Sequence, residues 1–197
     1  MPFENLKSDV PERLTSDGFL LRPITADDDA LDFAAVMESK DFLRGWEQTG
    51  WPEDDFTVAA NRLDLEKLER RHRNRESFTY TVMNPTETEC LGCVYITAMD
   101  APLFTRPAIT PFGDEVWGDY PAAVHFWVRK SQLPFGTDRV LLDTLREWFA
   151  QEWQFDRCLF ITTAVFEQQV TMFEQAGLGV RFEIKYPEKP SLELAYA

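Results

Sequence analysis

The sequence predicts a mixed α/β domain, and three observations carry that prediction. Stretches with strand character and stretches with helix character follow one another along the chain, without repeats or low-complexity tracts. At the centre, Val124 to Trp153 joins one kind to the other: Val124, Phe126 and Val128 alternate with His125, Trp127 and Arg129, and Leu141, Leu145, Trp148 and Phe149 then recur at helical spacing. Finally, 197 residues of 44% hydrophobic composition suffice for one buried core, so a single domain over 1–197 is expected.

Residues 1–17 are polar, carry Pro2 and Pro11, and are expected to lie over the surface. GFLLRPI from Gly18 is a short strand closed by Pro23, and Thr25 with Asp27, Asp28 and Asp29 starts a helix with acids in its first turn. That helix carries Leu31, Phe33, Ala34, Val36 and Met37 and ends near 39–42. LRGWEQTGWPEDDF, Leu43 to Phe56, has the glycine, proline and tryptophan content of a loop, in which Trp46 and Trp51 either lid the core or line a pocket. Asp54 or Asp55 is the expected cap of a long helix reaching Arg75. Its basic end, ERRHRNRE, reads as a solvated helix terminus complementing the dipole.

SFTYTVM (77–83) and CLGCVYITA (90–98) form a hairpin around a polar turn, and Met99 to Ala122, with its prolines, is a long flap before the central strand. Past the central helix, RCLFITT (157–163) reads as a strand buried on both faces, and Glu167 to Ala176 as a helix stopped by Gly177. Leu178 to Tyr186 and Ser191 to Tyr196 complete the strands.

Composition narrows the function. A formal net charge of -14 repels phosphate backbones and anionic lipid surfaces, so neither nucleic acid nor membrane is an expected partner, whereas a cationic amine is attracted. No apolar run has membrane-spanning length, and MPFENLKSDVPERL has neither a basic nor an apolar leader region, so a cytoplasmic protein is expected. Three cysteines fit a reducing compartment; Cys90 and Cys93 sit at an odd spacing in a strand, which sends them to opposite faces, and no metal site is expected. An edge strand leaves a homodimer open, with no residue pattern arguing for one. The turn holding Pro134, Gly136 and Thr137 aims free N–H groups and the positive helix end at one point, which can hold a phosphate.

In this order of elements the chain resembles the GNAT superfamily of N-acetyltransferases from Phe19 onward. GFLLRPI with TADDDA resembles the first strand and helix, VHFWVRKSQLPFGTDRVLLDTLREWF the acetyl-CoA strand, pyrophosphate loop and helix, and FITTAVFEQQVTMFEQAGL the late strand and helix. The resemblance implies a mixed, strongly twisted sheet of about six to seven strands flanked by about four helices. It implies acetyl transfer from acetyl-CoA to a primary amine of a small molecule or amino terminus, by direct attack. The donor would contact Val128, Arg129, Lys130, Leu133, Phe135, Gly136, Thr137, Asp138, Phe166 and Phe173, and the acceptor Trp46, Trp51, Tyr120 and Trp127.

The chain departs from the family pattern at informative places. Of the loop positions Leu133 to Asp138, only Gly136 fits; Pro134 removes an N–H donor, and Asp138 puts a carboxylate where phosphate charge would lie. Phe173 replaces the tyrosine that many members use as general acid, and Phe166 stands near a cofactor-contacting asparagine position; a phenyl ring neither donates nor accepts. His125 is left as the candidate base for an attacking ammonium, beside its alternative as a hydrogen-bonded core histidine. Tyr120, Asp119 and Glu115 on the flap are further candidates. The alternative function is a catalytically impaired module using a cleft lined by Trp46, Trp51, Trp117 and Trp127 to bind a ligand or protein.

Overall fold

A computed structural model describes Phe3 and residues 9–197. One sheet runs through them: β1 (Leu14–Thr15), β2 (Leu20–Pro23), β3 (Ser77–Met83), β4 (Cys90–Thr97), β5 (Ala108–Pro111), β6 (Ala123–Val128), β7 (Leu159–Thr163), β8 (Val180–Lys185) and β9 (Glu193–Tyr196). Their spatial order is β1-β2-β3-β4-β6-β7-β9-β8-β5, with β6 and β7 parallel and every other pair antiparallel. Nine strands therefore replace the expected six to seven. The additions are edge strands: β1 is two residues long, and β5 lies in the flap, where prolines are tolerated because one side of an edge strand needs no ladder partner.

Among the described residues five α-helices, where about four were expected, cover the sheet: α1 (Asp29–Glu38), α2 (Lys40–Glu47), α3 (Val58–Arg73), α4 (Thr137–Gln151) and α5 (Glu167–Gln175). On one face Leu141, Leu142, Leu145, Trp148 and Phe149 of α4 and Phe173 of α5 pack over Val124, Phe126 and Val128. At about 1.5–3 kcal/mol per large buried side chain, this layer supplies much of the driving force for folding. The opposite face carries α1 to α3 over Leu20, Met83, Cys93 and Trp127, and a third cluster, with Phe104, Tyr120, Ile161 and Phe182, lies under the flap.

Several local expectations change. Positions 43–47 of the supposed loop 43–56 belong to the helix α2, because the apolar residues Leu43 and Trp46 fall on one buried stripe despite Gly45. Thr57, not Asp54 or Asp55, caps α3, its hydroxyl accepting from the Ala60 N–H at 3.2 Å; Asp54 pairs instead with Lys40 and Arg44. Of the supposed surface segment 1–17, positions 1–2 and 4–8 lie outside the described residues. Phe3 is buried against Phe78, their rings 4.8 Å apart, and the Tyr80 hydroxyl donates to the Pro11 carbonyl. Cys90 and Cys93 share one face: Val82 lies opposite Gly92 and Met83 opposite Cys90, so Leu91 is an extra residue that resets the alternation. Gly177 does end α5, at φ 77°, with the Leu178 N–H returning to the Phe173 carbonyl.

Asp32 of α1 is buried, accepts a hydrogen bond from Asn61 Nδ2 at 3.0 Å and faces Cys90. Burial foremost pushes its pKa up to about 6, helped by the Asp28 charge and opposed by Asn61. The folded state thus holds this proton more tightly than the unfolded chain, so stability is lost as pH rises from about 4 through 6. Asp32→Asn is expected to gain on the order of 2 kcal/mol in urea unfolding at pH 7.5 and nothing near pH 4. A gain of equal size at both pH values would refute this assignment.

Candidate active site

β6 and β7 pair only where Ala123 meets Leu159 and Val124 meets Phe160; beyond this the strands part. The direction of the backbone follows from the other neighbour. In an antiparallel pair alternate residues face the partner, and the Arg129 N–H donates to the Leu91 carbonyl at 2.7 Å. Arg129, Trp127 and His125 therefore turn their backbone groups toward β4, while Phe126 and Val128 turn theirs into the opening beside β7. Phe126 bears this out, since its carbonyl accepts Gln169 Nε2 of α5 at 3.0 Å.

Beside the opening lies a cavity of about 260 Å³, floored by Tyr95, Thr97, His125, Thr162 and Thr163 of successive strands and walled by Trp46 of α2. Alternation along β6 puts His125 on this face, and its side chain is largely buried. His125 Nε2 stands 3.9 Å from Glu193 Oε2, an ion-pair distance rather than a hydrogen bond. Lys189 Nζ holds the other carboxylate oxygen at 2.7 Å and lies 3.7 Å from Glu47. Burial pushes the Glu193 pKa up, but His125 and Lys189 outweigh it and hold the carboxylate below its ordinary range. Glu193 Oε2 and Thr162 Oγ1 are buried without a hydrogen-bond partner among the described residues. Such groups are costly unless something fills them. Tyr95 accepts from Trp127 Nε1 at 3.2 Å, and burial foremost raises its phenol well above the usual range, so it stays a neutral donor. The cavity can thus hold an ammonium or amine between a carboxylate and an imidazole.

The turn before α4 is built differently from an anion cradle. Residues Lys130–Phe135 form a 3₁₀ helix, ended by Gly136 at φ 71°. The N–H groups of Gln132, Gly136 and Val140 go to backbone carbonyls, that of Lys130 to Ser39 Oγ, that of Ser131 to Glu38 Oε1 and that of Arg139 to Asp138 Oδ1. Arg129 is held by Glu38 and Glu89. These bonds, that of Arg129 first, draw Glu38 down to about 2. Asp138 Oδ2 also accepts Gln168 Nε2 of α5 at 2.7 Å. The carboxylate occupies the helix start that a phosphate would need.

The sequence-derived residues are only partly brought together. His125 and Trp46 line the cavity, and Trp127 backs it through Tyr95. Trp51 packs on Phe56 instead, and Tyr120 lies under the flap with Phe182, its hydroxyl donating to Glu115. Glu115 bonds Tyr120 and pairs with Arg157 and Arg181, Trp117 joins the same cluster, and neither these nor Asp119 lines the cavity. On the donor side, Leu133 packs against the core, Phe135 is 79% exposed, Thr137 approaches Gln132, and Phe166 stacks edge-on to Phe42. Phe173 is fully buried among Phe126, Phe160 and Tyr196 and offers a ligand no surface. Glu193, Lys189, Thr162, Tyr95 and Gln169 escaped sequence reasoning. The ERRHRNRE cluster does reach the site, through Arg71 at the cavity wall.

No family model matches the chain, and no curated protein matches it in sequence. Solved structures do. The ribosomal L7/L12 alpha-N-protein acetyltransferase RimL in complex with coenzyme A is similar at a TM-score of 0.69 and 13% identity, over 93% of this chain and 96% of that one. Ribosomal-protein-S5-alanine acetyltransferase from Vibrio fischeri gives 0.68 and 15% over 95% of each chain. The microcin C7 self immunity acetyltransferase MccE, in complex with acetyl-CoA and AMP, gives 0.68 and 10% over 92% of each. At such identities the likeness is one of fold, and the fold is that of the GNAT acetyltransferases.

Proposed function

We propose that this GNAT-fold protein is an N-acyltransferase, moving an acetyl group from acetyl-CoA to a primary amine. The observation that carries the proposal is the adjacency of the parted strands, with Phe126 and Val128 facing the opening, to a cavity where His125 stands beside a partly unpaired Glu193. A thioester carbonyl seated in the opening would receive the Val128 N–H, which stabilises the developing oxyanion. His125 would take the proton of the attacking ammonium, with Glu193 stabilising the imidazolium that forms. Direct attack suits a chain whose cysteines are buried and free. A peptide amino terminus as acceptor is supported by the name of the similar alpha-N-protein acetyltransferase, and a small cationic amine by the acidic net charge.

The strand backbone fits the thioester arm of the donor; the 3₁₀ turn does not fit its pyrophosphate. Weak donor binding follows, near the millimolar end of the range. Calorimetry with acetyl-CoA at low salt, paired with an amine screen, tests the proposal, and absence of both binding and transfer would overturn it. Asp138→Gly is expected to tighten CoA binding roughly fivefold, the worth of about 1 kcal/mol of like-charge repulsion near 4 Å in water. Unchanged affinity would place the phosphates elsewhere. The same closed turn favours a second function, a ligand-binding module without efficient transfer.

A further inference from the structure

Gln169 occupies an unusual place. It belongs to α5, on one side of the sheet, yet its side chain reaches through the opening between β6 and β7 to α2 on the other. It is 5% exposed and fully engaged at its tip: Nε2 donates to the Phe126 carbonyl at 3.0 Å, and Oε1 accepts Trp46 Nε1 at 3.1 Å. Both partners belong to the proposed site. Phe126 contributes one of the backbone carbonyls facing the opening, where an amide-bearing donor arm would make its hydrogen bonds, and Trp46 walls the acceptor cavity edge-on to His125, their rings 6.4 Å apart. The next residue back, Gln168, closes the outer end of the same route through Asp138.

We infer that Gln169 is a positioning latch. In the free protein it satisfies the Phe126 carbonyl and fixes Trp46; a thioester donor entering the opening takes the carbonyl, displaces the glutamine amide, and thereby releases the wall of the acceptor cavity. The inference rests on the transferase proposal. Its physical basis is competition for one space: the Gln169 tip fills the opening that the donor arm would enter, and an amide moved off the Phe126 carbonyl carries its Oε1 away from Trp46. Donor and acceptor sites are then coupled through a single side chain.

The test uses CoA as probe, followed by calorimetry and by tryptophan fluorescence. The wild-type protein is expected to bind CoA with a fluorescence change that Trp46→Phe abolishes without abolishing binding. Gln169→Ala is expected to bind CoA about tenfold tighter, the competitor being gone, and to lose the fluorescence change because Trp46 is already free. Gln169→Glu keeps the volume and the acceptor for Trp46 but cannot donate to Phe126; it is expected to bind tighter than wild type and keep the change. CoA affinity equal in wild type and both Gln169 variants, or a change that survives in Trp46→Phe, would overturn the latch alone. No CoA binding by any of the proteins would overturn the transferase proposal and the latch with it.

Discussion

Gly92→Ala is expected to destabilise the protein by about 3 kcal/mol or more, the range of overpacking that cannot relax. Gly92 lies opposite Val128 across the β4–β6 pair, beside the extra residue Leu91. A Cβ there would stand 2.2 Å from the Trp127 carbonyl oxygen and 3.0 Å from Val128 Cα. Both are backbone atoms of β6, so no rotamer change relieves the clash; the strand itself must move. That strand carries His125 and turns Phe126 and Val128 into the opening. A fall in the urea midpoint is therefore expected together with loss of donor binding in whatever fraction remains folded. An unchanged midpoint would show that the approach of β4 to β6 is looser than described.

The second large effect is on chemistry. His125→Ala is expected to lower kcat/KM for amine acetylation by about 10²- to 10⁴-fold, the usual contribution of a positioned base, with CoA affinity unaltered. Glu193→Gln should cost less, because the imidazole remains while the charge facing it is lost. Since Glu193 is held below the ordinary carboxylate range by His125 and Lys189, a limb of the rate profile near neutrality belongs to another group. Activity surviving in His125→Ala would move the base role to a water held by Glu193 or Thr162.

What the sequence discloses here follows from where its signals are dense. The inner strands and α4 are legible because alternation and helical recurrence are imposed by burial on both sides: Val124, Phe126 and Val128 have to meet Leu141, Leu145 and Phe149. α2 is hidden by Gly45 and the neighbouring tryptophans, and the edge strands β1 and β5 by their shortness and prolines. One extra residue at Leu91 leaves no trace in composition, yet it reverses the facing of Cys90. His125 could be named because only two histidines exist, whereas Glu193 is one carboxylate among the 34 Asp and Glu and is distinguished only by its burial. The tryptophans mislead for a related reason: large amphipathic rings fill core edges as readily as ligand walls, and Trp51 and Trp117 do the former.

The bulge at Leu91 also gives the protein a built-in clock. Cys90 and Cys93 lie together beneath α1 to α3, while Cys158 lies in the core on the α4 side, and all three thiols are free and buried. Burial foremost raises their pKa values, so a thiol reagent waits for each region to open before it can react. The alkylation rate of the paired cysteines times the lifting of the three-helix layer, and that of Cys158 times the loosening of the α4 layer. Comparing the two rates with and without CoA reports which side of the sheet a ligand steadies, with no label added to the chain.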